Sequence, residues 1–82
     1  MALRAAVLWT IKNARSSLNL DISGSSTTAG AALVQNTPSS AASQKWPLTD
    51  AGGGDVSLRN VNSALVAEVA QSSTSNGAAV VQ

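Results

Sequence analysis

Trp9–Gln35, WTIKNARSSLNLDISGSSTTAGAALVQ, aligns without a gap on Val56–Gln82, VSLRNVNSALVAEVAQSSTSNGAAVVQ, at an offset of 47 residues. Eleven of the 27 aligned pairs are identical, among them Asn13/Asn60, Ser16/Ser63, Ser26/Ser73, Thr27/Thr74, Gly30/Gly77 and Gln35/Gln82. Ile11/Leu58, Ile22/Val69, Leu33/Val80 and Asp21/Glu68 are conservative. A repeat of this length marks a supersecondary unit that cannot bury its apolar face alone and stacks on copies of itself. The function therefore lies in what the repeat presents and in how many copies complete the fold.

Two periodicities compete inside the repeat. Leu3, Val7 and Ile11 recur at every fourth position, as do Val61, Leu65 and Val69, the spacing of an amphipathic helix. Trp9/Ile11, Leu18/Leu20/Ile22 and Val56/Leu58 instead alternate with polar residues, as strands do. Punctuation favours strands. Clusters of turn-forming residues lie at Ser23–Gly30, Thr37–Ser43, Thr49–Asp55 and Ser72–Gly77. Gly30 and Gly77 interrupt both copies at the same place, each followed by a short apolar run, Ala31–Val34 or Ala78–Val81. The Ala51–Asp55 stretch, AGGGD, suits a hairpin that needs positive φ. The expectation is an all-β chain of about seven or eight short strands; a small α or α+β protein is the alternative. One unit spans residues 1–82, with repeat one at about 9–46 and a partial repeat two at about 56–82.

Composition narrows the function. Fifteen of the apolar residues are alanines; the large ones are eight Leu, eight Val, two Ile, two Trp and Met1, with no Phe or Tyr. Such small cores are supplemented by disulfides, metals or oligomerisation. With no Cys and no His, homo-oligomerisation is the expected route. Net charge is +1 from scattered charges, so nucleic acid has no basic stripe to recognise. The apolar run Ala5–Trp9 is too short to span a membrane and makes a poor signal peptide, which leaves no membrane insertion and no assigned compartment. Lack of His and Cys removes the commonest general base and the thiol nucleophile. Of the acids, only Asp50 and Asp55 are neighbours, and they flank a glycine turn. The chain is expected to be no enzyme and to hold no metal or cofactor.

With strands placed, the residues Asn13, Ser16, Leu20-Asp21-Ile22-Ser23-Gly24, Ser26-Thr27, Gly30–Gln35 and Gln44-Lys45-Trp46 form a pattern that resembles the ricin-B-type β-trefoil lectin family. The last three match its Q-x-W signature, and the resemblance runs from about Trp9 to Gln82. It implies three four-stranded repeats about a pseudo-threefold axis, of which this chain carries fewer than two. The expectation is β-trefoil-type repeats, incomplete in one chain and completed by oligomerisation, because a cut repeat leaves strand edges that pair with other chains.

The resemblance also implies a shallow sugar site in each repeat, built from an acid, a stacking aromatic and polar groups near Q-x-W. Carbohydrate calls for that mixture because a galactose-like ring has one C–H-rich face and a rim of donors and acceptors. Carried over, the acid is Asp21, the polar group is Gln44, and the residue before it is Ser43 rather than the family's frequent Asn. The aromatic position falls on Asn36, which cannot stack. In repeat two the acid is Glu68. The candidate sugar-binding residues are thus Asp21, Asn36, Gln44 and Glu68, with galactose- or GalNAc-type glycans as partners. Each has a structural alternative: Asp21 could bind amides of the Ser23–Thr27 turn, Gln44 could bind backbone near Q-x-W, and Glu68 could be a solvated charge. Trp46 and Trp9 are expected in the core. The leading reading is a lectin-like protein whose weak sites gain avidity in an oligomer; the alternative is a structural or engineered trefoil scaffold with degenerate sites.

Overall fold

The structure, a computed structural model, describes residues 7–82. Leu3 and the start of the Ala5–Trp9 run lie outside the described residues. The fold is all-β: six strands, β1 Asn19–Ile22, β2 Leu33–Asn36, β3 Leu48–Gly52, β4 Asp55–Leu58, β5 Glu68–Val69 and β6 Val80–Val81. They form three antiparallel two-stranded ladders, β1–β2, β3–β4 and β5–β6. Isolated bridges at Trp9↔Trp46, Lys12↔Asn19, Ala32↔Val81 and Arg59↔Val66 tie the ladders together. Several short pairings foreseen as strands are these single bridges.

The sequence repeat is a structural repeat, down to individual hydrogen bonds. Asn13 and Asn60 each accept from the amide four residues on, Ser17 N and Ala64 N, both at 2.8 Å. Ser16 and Ser63 donate their hydroxyls to Gln35 Oε1 and Gln82 Oε1, both at 2.7 Å. Leu20 N donates to Ile11 O at 2.8 Å and Ala67 N to Leu58 O at 2.9 Å. The chain enters the left-handed region at matching places, Ser17/Ala64 and Ser25/Ser72. The identical residues of the alignment are thus largely those that close its turns.

The helical spacing of Val61, Leu65 and Val69 forms no α-helix. Asn60 Oδ1 accepts from Asn62 N (3.1 Å) and Ser63 N (3.4 Å), and Ala64 turns left-handed at φ 62°, so the segment closes on itself as a tight turn. Three-residue 3-10 turns at Ser23–Ser25, Ala42–Gln44 and Ala70–Ser72 are the helical elements among the described residues. The β3–β4 hairpin forms as the glycines foretell, with β3 running through Gly52 and only Gly53 and Gly54 left as the turn. Both glycines have positive φ, 62° and 87°.

Few side chains are buried. Among the described residues Ile22 and Trp46 are the fully buried apolar side chains, and the indole Nε1 donates to Leu20 O at 3.1 Å. Trp9 departs from its expected place in the core: it is 52% exposed, although its backbone bridges Trp46. Its carbonyl accepts from Trp46 N (2.8 Å), which fixes the strand while leaving the ring uncovered among the described residues. Val56, Val61, Val66, Val69 and Val80 are exposed as well.

Candidate functional site

Strand alternation builds the site. In the β1–β2 register Asn19 faces Asn36, Leu20 faces Gln35 and Asp21 faces Val34. Side chains at every second position share a face. Leu20 and Gln35 therefore lie on one side, and Asn19, Asp21 and Asn36 on the other, where the Ala42–Gln44 turn covers them. The Ser43 and Gln44 side chains in that turn are buried.

Asp21 is the centre of a hydrogen-bonded cluster and is 5% exposed. Its Oδ1 accepts from Ile22 N at 2.7 Å, and its Oδ2 accepts from Asn36 Nδ2 at 3.0 Å and Gln44 Nε2 at 3.3 Å. Burial pushes its carboxyl upward, but hydrogen bonds from Ser43, Asn36, the Ile22 amide and Gln44 outweigh it and hold the pKa below the ordinary Asp value. The carboxylate is therefore charged and fully engaged. The turn amides of Ser23–Thr27 are not its partners; the neighbouring Ile22 amide is.

Gln44 is held at both ends of its carboxamide. Oε1 accepts from Asn19 Nδ2 (3.0 Å) and Ser39 N (2.9 Å), while Nε2 donates to Thr37 O (3.0 Å) as well as to Asp21. These bonds fix which end of the amide faces the carboxylate. Asn19, which the sequence reading passed over, is buried beneath this arrangement. Its place two residues before Asp21, on the same strand face, was the available signal. Its Oδ1 has no hydrogen-bond partner among the described residues.

Asp21, Asn36 and Gln44 are thus brought together, and Glu68 is not among them. Glu68 opens β5 opposite Val81 and is exposed. Asp50 also stands apart, its Oδ1 accepting from Gly52 N (2.8 Å) inside the hairpin. Among the described residues no three His, Cys, Asp or Glu side chains gather as a metal site would require. Nor is any helix there long and apolar enough to cross a membrane.

The profile of the ricin-type beta-trefoil lectin domain-like family matches residues 3–82. The chain belongs to that family. Carbohydrate binding is accordingly its family-level activity. Two solved structures share the fold of this ricin-type domain. The exo-beta-1,3-galactanase 1,3Gal43A from Clostridium thermocellum aligns over 99% of the chain with 30% identity and a TM-score of 0.92. ThreeFoil, a designed 3-fold symmetric protein, aligns over 92% with 33% identity and a TM-score of 0.89. The chain spans 18% of the galactanase chain and 54% of ThreeFoil. Among curated proteins, none matches it significantly.

Proposed function

We propose that this ricin-type domain is a non-enzymatic carbohydrate-binding protein that takes a galactose- or GalNAc-type sugar at Asp21, with useful avidity supplied by assembly of several copies. The observation that carries the reading is the Asp21–Gln44 pair, a charged carboxylate whose orientation is fixed from below by a buried amide. A carboxylate held this way keeps its charge and orientation and can accept sugar hydroxyls once Asn36 turns away from Oδ2. Similarity to a protein named as a galactanase supports the choice of galactose-type ligands.

Asn36 sets the strength of the site. Its Nδ2 sits on Asp21 Oδ2, so a sugar hydroxyl must replace it, exchanging one hydrogen bond for another. Asn36 is exposed at the end of β2, and turning its side chain outward frees the carboxylate. It offers no ring to stack on the sugar, so affinity per site is weak.

Glycan titration by calorimetry tests the proposal. Asp21→Ala, in protein of unchanged assembly state, is expected to abolish binding of galactose-type ligands. Unchanged binding sinks the assignment. Asn36→Trp supplies the ring and is expected to tighten binding by up to roughly tenfold. The second reading, a scaffold with degenerate sites, is favoured by the fully occupied Asp21 carboxylate. It stands if neither the natural chain nor Asn36→Trp binds a sugar.

A further inference from the structure

Among the described residues Asn19 Oδ1 is the buried side-chain polar atom left without a hydrogen bond, in a residue only 3% exposed. Its isolation follows from main-chain groups of fixed polarity. Ser39 N donates to Gln44 Oε1 (2.9 Å) and Thr37 O accepts from Nε2 (3.0 Å), so the Gln44 carboxamide has one allowed sense. Asn19 must then offer Nδ2 to Oε1, at 3.0 Å, and its own oxygen is left over. A buried acceptor without a donor destabilises a fold. Nor does the fold ask for an amide here. Forty-seven residues on, Val66 holds the same strand position, and the two positions make the same isolated bridge, Lys12↔Asn19 and Arg59↔Val66. Valine suits a strand better than asparagine does. Repeat one thus carries a destabilising residue where repeat two shows that an apolar one serves.

What Asn19 adds is reach along β1. Asn19 and Asp21 are two residues apart on one face, roughly 7 Å along the strand. Gln44 lies across that gap, with Oε1 on Asn19 Nδ2 and Nε2 on Asp21 Oδ2 (3.3 Å). Its other two bonds, to Thr37 O and Ser39 N, draw it toward the loop that follows β2. Asn19 is the group on β1 that opposes this pull. The bond to Asp21 is the longest of the four, so it is the first to be lost when the clamp opens.

We propose that Asn19 is a positioning residue of the sugar site: it holds the Gln44 carboxamide across β1 so that Nε2 stays on Asp21, and its unpaired Oδ1 is what that hold costs the fold. Asn19 touches no sugar and acts through Gln44. A carboxylate already fixed from below has less freedom to lose when a ligand binds. The value of Asn19 to sugar binding rests on the function proposed above, whereas its hold on Asp21 does not.

Asn19→Val, which copies repeat two, separates a role in the site from a role in the fold. Urea melts are expected to show an unchanged or higher midpoint, since the unpaired acceptor is removed. The Asp21 pKa, followed by NMR of its carboxyl carbon, is expected to rise, because Gln44 no longer donates to the carboxylate. Galactose affinity, measured by calorimetry, is expected to fall by about threefold to tenfold. A residue that serves the fold alone gives the reverse, a lower midpoint with the Asp21 pKa unmoved, and that result overturns the proposal. Should Asn19→Val fail to fold, Asn19→Ala cannot overfill the site and decides by the same NMR titration: a raised Asp21 pKa supports the hold, an unmoved one overturns it. If the natural chain binds no galactose, the sugar function fails, while the midpoint and the Asp21 pKa still judge Asn19.

Discussion

Gln82 and Gln35 are the same residue at the same place in the repeat, with the same serine hydroxyl on Oε1, yet one is buried and the other exposed. Asn60 and Asn13 repeat the contrast. Both carboxamide oxygens close the local turn, Asn60 on Asn62 N and Ser63 N, Asn13 on Arg15 N (2.8 Å) and Ser16 N (3.3 Å). Only Asn60 also spends its Nδ2 on another repeat, at Ser43 O. A single local motif therefore carries two kinds of information. Its oxygen serves the repeat's own turn, and its nitrogen serves the next repeat.

That division makes the largest expected effect. Asn60→Ala removes a local cap and strands a buried carbonyl, Ser43 O, and is expected to cost about 2–3 kcal/mol. Asn13→Ala removes the cap alone, about 1 kcal/mol or less. Urea denaturation of the two variants at one protein concentration reads the difference. Equal losses would break the comparison, because they would mean that the inter-repeat bond contributes nothing.

Much of this was legible in the chain before its structure. Matching residues at Asn13/Asn60, Ser16/Ser63 and Gly30/Gly77 mark turns, and turns are where sequence dictates backbone most directly. That Asp21 and Gln44 belong to one place was legible through the resemblance to ricin-type lectins; the hydrogen bond between them was not. What was not legible depended on neighbours. Trp9 looks like a core residue by type, but exposure depends on what lies over it, and a repeat does not state its own neighbours. The i, i+4 spacing of Val61, Leu65 and Val69 misleads for a similar reason: left-handed Ala64 closes a tight turn where a helix would continue, and alanine gives no warning of positive φ. Asn36 was read as a missing aromatic, whereas the amide it carries makes a bond of its own to Asp21.

The acids of the two repeats sharpen the comparison further. Asp21 has its folded-state pKa held below the ordinary Asp value, so it stabilises the fold fully above the unfolded-chain value. That contribution is lost as pH falls through the lower folded-state value. Asp21→Asn is expected to cost about 1.5–3 kcal/mol at neutral pH, the range for hydrogen bonds to a charged group. The gap to the natural chain should close on acidification, so the variant's acid limb is the flatter one in pH-dependent urea melts. Glu68→Gln, at an exposed site with no partner described, is expected to stay within about 0.5 kcal/mol. A gap for Asp21→Asn that persists at low pH would assign its cost to packing rather than charge.

The smallest effect isolates backbone from contact. Gly24 (φ 62°, ψ 19°) and Gln71 (φ 55°, ψ 28°) hold the same left-handed place in the 3-10 turns of the two repeats. A side chain there costs roughly 1–2 kcal/mol in local sterics, partly offset because glycine has more unfolded-state freedom to lose, about 0.4–1 kcal/mol. Gln71→Gly is therefore expected to stabilise by about 0.5–1 kcal/mol and Gly24→Gln to destabilise by a similar amount. A Cβ built at Gly24 meets nothing within 4 Å, so crowding cannot supply the difference. Near-mirror values in urea melts would show that the two turns are energetically one element. A Gly24→Gln loss much larger than the Gln71→Gly gain would instead place extra strain in repeat one, where the turn at Ser23–Ser25 is braced against Ser43 and Asn62.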